Sequence, residues 1–376
     1  MTTPSRRELL IALNTAAEVS RPAVYRLSQE LDRWFNAAGS PALLAAELGV
    51  PEAQCAKALA LRERARELTA RETAEAEKLN GRILTLDDPG YPPGLLQLSP
   101  PPPVITVRGE LPDGPAVAIV GSRRADAYGR EAAELFARSL AAAGVTIVSG
   151  FARGIDAAAH RSALATSGGQ TIAVLGCGLA VDYPRGHGPL AAEIAAAGRG
   201  AVVSEFPCRL IPRAWHFPLR NRSIAALAAG TLVVQAAHRS GSLITARHAL
   251  DLGRDVWAVP GRIFDESSLG ANALIRDGAS LALHPSDLLE VLLPCLPGAR
   301  AQLALPLPLA AAPDPGPAPP PGFAGQVLAE IPPGATRVAE EIAIRLDVPV
   351  DRVLAALLVL ELEGWVKRLP GSMYGR

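Results

Sequence analysis

Val117-Ala118-Ile119-Val120-Gly121-Ser122-Arg123-Arg124 decides the fold. Its first four residues are apolar and mostly β-branched, and they run into a glycine turn bearing a hydroxyl and two guanidinium groups. A strand without polar alternation is buried on both faces, as in a parallel sheet. Comparable runs recur at Val145-Thr146-Ile147-Val148, Thr171-Ile172-Ala173-Val174-Leu175, Ala201-Val202-Val203, Thr231-Leu232-Val233-Val234 and Val256-Trp257-Ala258-Val259. Alanine-rich stretches of helical character, such as Arg130–Ala143 and Leu190–Ala197, separate them. Strand–helix alternation with short turns predicts an α/β fold with a doubly wound, mostly parallel sheet. In such sheets ligands bind at the carboxyl ends of the strands.

Outward from this centre the pattern changes on both sides. Residues 5–75 alternate apolar and charged positions at helical spacing, broken at Ser20-Arg21-Pro22, Gly39-Ser40-Pro41 and Gly49-Val50-Pro51, which reads as a small bundle of short helices. Asp87 to Pro115 is rich in proline and reads as an ordered but irregular connector. On the far side, residues 294–321 hold ten of the chain's 34 prolines, the composition of an extended linker. A last unit, Phe323–Arg376, reads as three helices and a hairpin. The expected domains are therefore 1–80 helical, 81–290 α/β, 291–322 linker and 323–376 the terminal unit.

The chain has 376 residues, and its 37 Lys+Arg balance 37 Asp+Glu. Neutrality excludes a polybasic, histone-like mode of nucleic-acid binding but leaves room for a local basic pocket. Only Lys57, Lys78 and Lys367 are lysines, so 37 − 3 = 34 cations are arginine. Whatever anion the protein grips, it grips with planar, bidentate groups. No stretch approaches the ~20 apolar residues of a membrane span. Four scattered cysteines (Cys55, Cys177, Cys208, Cys295) show no metal-like spacing, so a reduced, cytoplasmic setting is expected.

The turns after the strands are Gly121-Ser122-Arg123, Ser149-Gly150-Phe151-Ala152-Arg153-Gly154, Gly176-Cys177-Gly178 and Ser240-Gly241-Ser242. Glycine lets backbone approach a ligand, and the following helix aims N–H groups at it, which together suit an anion. One such turn is ordinary punctuation; four in one sheet, two with arginine, indicate a phosphate site. A dinucleotide fingerprint needs GxGxxG and a Walker loop needs Gly-Lys-Ser/Thr, and neither occurs. No cofactor is expected. Asp156 and His160 stand four apart on one helix and read as a hydrogen-bonded pair. The histidines lack a carboxylate-rich cluster, so neither a metal nor a catalytic residue is expected.

Phe206–Arg222 interleaves Arg209, Arg213, Arg220 and Arg222 with Phe206, Trp215 and Phe217. Guanidinium groups hold phosphates and flat rings stack on exposed bases, a combination suited to an extended single strand. The plainer alternative is that Trp215 and Phe217 bury a loop. Local charge favours the first: residues 115–284 carry 17 arginines against 12 acids, an excess that the remainder of the chain cancels.

Val117–Arg123, Ser149-Gly-Phe-Ala-Arg-Gly-Ile-Asp156 with His160, Phe217-Pro-Leu-Arg-Asn-Arg222, Ser240-Gly-Ser-Leu-Ile-Thr-Ala246 and Ala258-Val-Pro-Gly261 together resemble the DNA-processing protein A (DprA, or Smf) family. The resemblance spans residues 87–284 in order. It implies a Rossmann-like central domain, a sterile-alpha-motif-like (SAM-like) helical domain before it and a DML1-like winged helix after it, where Leu360–Trp365 and Leu369–Gly371 stand in the expected places. It further implies a non-enzymatic role: binding and protecting single-stranded DNA, loading the RecA recombinase during natural transformation, and a homodimer formed through the central domain.

The phosphate positions the resemblance implies are Gly121, Ser122, Arg123, Arg185, Arg220, Asn221 and Arg222, and the strand-end turns add Gly150, Ser240, Gly241 and Ser242 as candidates. Phe151, Tyr183, Trp215 and Phe217 are the candidate rings for base stacking. Gln235 stands where many relatives have glutamate, which weakens any case for a catalytic carboxylate there. A competing class, nucleotide-processing enzymes resembling nucleoside-monophosphate phosphoribohydrolases, needs a glutamate where Ser240–His248 has His248.

The terminal unit carries six basic and seven acidic residues over 323–376, and its candidate recognition helix offers Arg352 against Asp351, Glu361 and Glu363. A groove-reading helix needs more positive charge, so a protein-interaction or auxiliary DNA-contacting module is expected. Deleting 323–376 should leave most single-strand affinity intact in a titration; a loss of about 100-fold would contradict this.

Overall fold

The computed structural model describes residues 3–31, 40–292, 320–332, 335–369 and 373–375. Two compact units emerge, within Met1–Ala301 and Gln302–Arg376. Residues 293–319, most of the expected linker, lie outside the described residues.

The first unit opens with helices α1 (Arg6–Thr15), α2 (Arg21–Gln29), α3 (Pro41–Leu48) and α4 (Glu52–Lys78). Their ends follow the sequence punctuation. Ser5 and Glu8 form a capping box on α1, Pro22 sits in the first turn of α2, and Gly49 ends α3 in the left-handed region at φ 59°. The expectation of short helices fails for α4, which runs 27 residues. No glycine or proline interrupts Glu52–Lys78, and strong helix formers fill it. Leu9, Leu13, Val24, Leu27, Leu44, Leu61 and Leu68 form a core that also takes in Ile83, Val104 and Cys208. The helical segment thus packs against one end of the sheet.

The sheet comprises β1 (Gly81–Thr85), β2 (Val104–Gly109), β3 (Ala116–Val120), β4 (Thr146–Ser149), β5 (Thr171–Val174), β6 (Gly200–Ser204), β7 (Gly230–Val233), β8 (Asp255–Ala258) and β9 (Ser280–Leu281). Among the described residues their order is β1-β2-β6-β5-β4-β3-β7-β8-β9. From β6 to β9 every pairing is parallel, and β3 to β7 are buried along their whole length. The doubly wound, mostly parallel sheet expected from the apolar runs is present. β1 and β2 join antiparallel at one edge. They fall beside and within the proline-rich connector, which masks them in the sequence.

Helices α5 (Pro93–Leu96), α6 (Ala127–Ala142), α7 (Ile155–Ala165), α8 (Gly188–Ala196), α9 (His216–Ala226), α10 (Gly241–Asp251), α11 (Leu269–Arg276) and α12 (Ser286–Leu292) complete the unit. From β3 the chain winds through β4 and β5 to β6, then returns to the other side of β3 as β7. The order therefore reverses at β3, where a doubly wound sheet opens its crevice.

The second unit contains α13 (Phe323–Ala329), β10 (Thr336–Val338), α14 (Ala339–Leu346), α15 (Val350–Leu362), β11 (Lys367–Leu369) and β12 (Met373–Gly375). The expected helices and hairpin are joined by β10, and the sheet order is β10-β12-β11. Val327, Ile331, Ile342, Val353, Leu357 and Leu360 fill the core. None of the described helices is long and apolar enough to cross a membrane.

The expected Asp156–His160 pair does not form. His160 is fully buried and its Nδ1 lies 2.7 Å from Thr171 Oγ1, which itself donates to the Ile147 carbonyl at 2.7 Å. Thr171 therefore accepts from Nδ1–H, and Nε2 is left buried without a partner. Burial and neighbouring positive groups hold His160 down at about 3, below its ordinary 6.5. The unfolded chain binds this proton between those values and the folded chain does not, so stability is complete above about pH 6.5 and falls as pH drops toward 3. Urea unfolding from about pH 7 to pH 5 should show this decline, and His160→Leu should flatten it by up to about 1.4 kcal/mol per pH unit. Parallel profiles for the two proteins would contradict this assignment.

Candidate nucleic-acid interface

At the crevice, a cleft of about 630 Å³ is lined by Gly121, Ser122, Arg123, Ala152, Asp156, Tyr183, Arg213, Phe217, Arg220, Asn221, Ser240, Gly241, Ser242 and Thr245. The turns after β3, β4 and β7 meet here. A Cβ on Gly121 would fall 2.6 Å from Ile155 Cγ1, and one on Gly154, at φ +78°, would fall 2.2 Å from the Ser122 carbonyl oxygen. The glycines therefore let the turns after β3 and β4 lie together, joined by Ile155 N–H donating to Ser122 O at 3.2 Å.

The floor is Arg220 on α9. Its Nη1 donates to the Val174 carbonyl and, at 2.5 Å, to the Gly150 carbonyl, and Nε donates to Asn221 Oδ1 at 3.3 Å. Asp156 faces it. A Cβ on Gly150 would lie 2.8 Å from Asp156 Oδ2 and 2.9 Å from Arg220 Nη2, so only glycine leaves room for the pair. Burial pushes the Asp156 carboxyl up, opposed by Arg220 and by the Ala152 N–H, which donates to Oδ2 at 3.1 Å. Burial lowers Arg220 to about 10, against the raising pull of Asp156. The guanidinium keeps its charge at neutral pH.

Above this floor the cleft is arginine and ring. Arg123 is exposed, in no ion pair among the described residues, and its guanidinium carbon stands 4.9 Å from the Phe217 centroid. The Tyr183 and Phe217 centroids are 5.4 Å apart. Ser240 caps α10, and Asn221 Nδ2 donates to the Gly241 carbonyl at 3.0 Å, fixing the turn whose following helix opens on the cleft. Thr245, one helical turn beyond Gly241, also lines it. The helical spacing from Gly241 carried that signal, but Thr245 was not singled out from sequence.

Other expected residues are placed elsewhere. Arg185 is exposed in a neighbouring cleft, on a loop held by Asp182, whose carboxylate accepts from Gly186 N–H at 3.1 Å and Gly188 N–H at 3.0 Å. Arg222 points toward the N-terminal helices. It pairs with Glu205 at 3.3 Å, donates to the Pro100 carbonyl at 2.5 Å and covers the Tyr25 ring at 4.4 Å. Tyr25 and Ser223 hydroxyls also donate to Glu205. This buried network latches α2 to the sheet, so Arg222 is structural.

Phe151 also departs from expectation: it is buried with Ala157, Leu175 and Leu190, its ring against His160 and His187, and no base can reach it. Trp215 is half-exposed but lines a different cleft, beside Arg209 and the N-terminal helices. Gln235 braces α6: its amide donates to Asp126 Oδ2 at 2.9 Å and to Ser267 Oγ at 3.1 Å.

Comparison with known proteins follows the same outline. The family described as DNA recombination-mediator protein A matches residues 82–293, and the DprA winged helix domain matches residues 311–372. The chain is 42% identical to Protein Smf of Escherichia coli (strain K12) over 301 residues, 79% of this chain and 78% of that protein. To the DNA processing protein DprA of Streptococcus pneumoniae it is 43% identical over 206 residues, 54% of this chain and 71% of that one.

Among solved structures, DprA from Streptococcus pneumoniae superposes with a TM-score of 0.64 at 32% identity, covering 77% of this chain and 98% of that one. DNA processing protein A from Helicobacter pylori, described for its single-stranded DNA binding mode, gives 0.51 at 31% identity over 57% of this chain and 96% of that one.

Arg220 and Arg123 should separate cleanly in stability. Arg220→Ala leaves Asp156 buried and two carbonyls short of a donor, and should cost about 3–5 kcal/mol in urea unfolding. Arg123→Ala is expected to stay within about 0.5 kcal/mol of the parent. Equal effects would contradict the division into floor and contact.

Proposed function

The chain belongs to the DNA recombination-mediator protein A family, and on that premise we propose that it binds single-stranded DNA in the cleft at the β3 crevice, protects it, and loads the RecA recombinase onto it during natural transformation. The observation that carries this is the Arg123 guanidinium poised over the Phe217 ring, beside Tyr183 and three glycine-containing turns. Guanidinium and backbone N–H groups take phosphates, and flat rings take bases without regard to sequence. The role is one of binding. Asp156, the carboxylate in the lining, is engaged with Arg220 and the Ala152 N–H at the floor.

The proposal extends to partners. A second copy of the chain suits the apolar side chains left exposed after β8 and β9, where Ile263, Phe264 and Leu283 are exposed at 71%, 92% and 68%. A protein contact suits the second unit, because α15 exposes Leu354, Leu358 and Leu362 at spacings of four, one helical stripe. A groove-reading helix would carry cations there.

Anisotropy with labelled oligo-dT and a matched duplex tests the central statement. Single-strand binding should be preferred and should weaken with salt by about 0.7 log units per log unit for each phosphate neutralised. Arg123→Glu should lose about tenfold or more, 1.4 kcal/mol. Equal affinity for duplex, or an unaffected Arg123→Glu protein, would contradict the assignment.

A further inference from the structure

Across the paired turns from the ring-lined cleft lies a second of about 630 Å³, lined by Arg123, Arg124, Arg130, Arg153, Arg161 and Arg185. Glu134 is the one carboxylate in that lining. Elsewhere arginines on this protein find acids: Arg6 with Asp87 at 2.7 Å, Arg209 with Glu75 at 2.6 Å, Arg345 with Glu330 at 3.2 Å. Among the described residues, none of the six in this cleft does. All six are exposed, and Arg130 spends one nitrogen on the Ala125 carbonyl at 2.6 Å. His187 on the wall is pushed down by burial and by Arg161 and Arg153. A neutral chain that gathers six unpaired cations in one concavity sets up repulsion that a polyanion relieves. The lining has no Phe, Tyr or Trp, so the cleft offers charge without a stacking surface.

We propose that this cleft is a backbone-only extension of the strand track. The phosphodiester chain leaving the ring-lined cleft crosses the ridge formed by the Gly121–Arg123 and Ala152–Gly154 turns at Arg123, which lines both clefts. Arg124, Arg130, Arg153 and Arg161 then hold its phosphates while the bases face solvent. The proposal rests on the single-strand reading of the first cleft.

The test compares oligo-dT of about 6 and about 20 nucleotides, a length range over which one site or two can be filled. The proteins are the full chain, a variant with Arg124, Arg130, Arg153 and Arg161 all changed to Ala, and one with all four changed to Lys. The alanine variant should bind the short oligomer as the parent does and lose about tenfold or more on the long one. Its salt slope on the long oligomer should be shallower by about 0.7 for each contact removed. The lysine variant should recover most of the loss. Equal behaviour of parent and alanine variant on both lengths overturns the extension and leaves the first cleft standing. Equal loss on both lengths overturns it too, because the arginines would then belong to a single site. Inorganic tripolyphosphate that binds the parent but not the alanine variant, with long-oligomer affinity unchanged, assigns the cleft to free polyphosphate and overturns the strand proposal. A parent that binds neither oligomer overturns the single-strand reading itself.

Discussion

The buried guanidinium of Arg220 holds the crevice together. It donates to the carbonyl of Gly150, just past β4, and to that of Val174, which ends β5, and faces Asp156 on α7, so one side chain of α9 ties two strand ends to a neighbouring helix. The arrangement exists because position 150 is glycine; any Cβ would strike both charged partners. A buried charge is tolerated only with its partner and its hydrogen bonds in place. The turns above it therefore stand in one geometry before any ligand arrives, and preorganisation of that kind reduces the ordering cost of binding.

A second buried network does comparable work on the opposite face of α9. Arg222, two residues on, joins Glu205, Tyr25 and Ser223 and fastens the N-terminal helices to the sheet. Arg220 and Arg222 look alike in sequence, and the helix sends them opposite ways: a step of two residues is about 200° around an α-helix. That is why a motif of alternating arginines overstates the number that reach one ligand.

The strands were legible because β-branched runs without polar alternation have few other uses, and each observed strand from β3 to β8 lies within a residue of its apolar run. The crevice turns after β3 and β4 were legible because Gly121-Ser122-Arg123 and Ser149-Gly150 follow those runs directly. The third was legible by its own Ser240-Gly241-Ser242, although Gln235–Arg239 separate it from its run. β1 and β2 were hidden by nearby prolines, and α4 ran long because nothing in Glu52–Lys78 stops a helix. Phe151 was misplaced because a ring next to a glycine turn points either into the core or toward the ligand. Here Ala157, Leu175 and Leu190 receive it. The arginine cleft was invisible for a different reason. Arg124, Arg130, Arg153, Arg161 and Arg185 come from separate turns and helices, and only the winding of the sheet assembles them. Net charge conceals the rest, since paired arginines elsewhere and unpaired ones here average to zero.

Ultraviolet cross-linking of an oligonucleotide carrying 5-bromouracil, followed by mass spectrometry of the adducts, tests the placement of the strand most directly. Adducts on Phe217 and Tyr183 are the expected result, since rings that stack on bases are the groups within reach of an excited uracil. Adducts confined to residues 323–376, with none on the peptides that carry Tyr183 and Phe217, would contradict it and move nucleic-acid binding to the terminal unit.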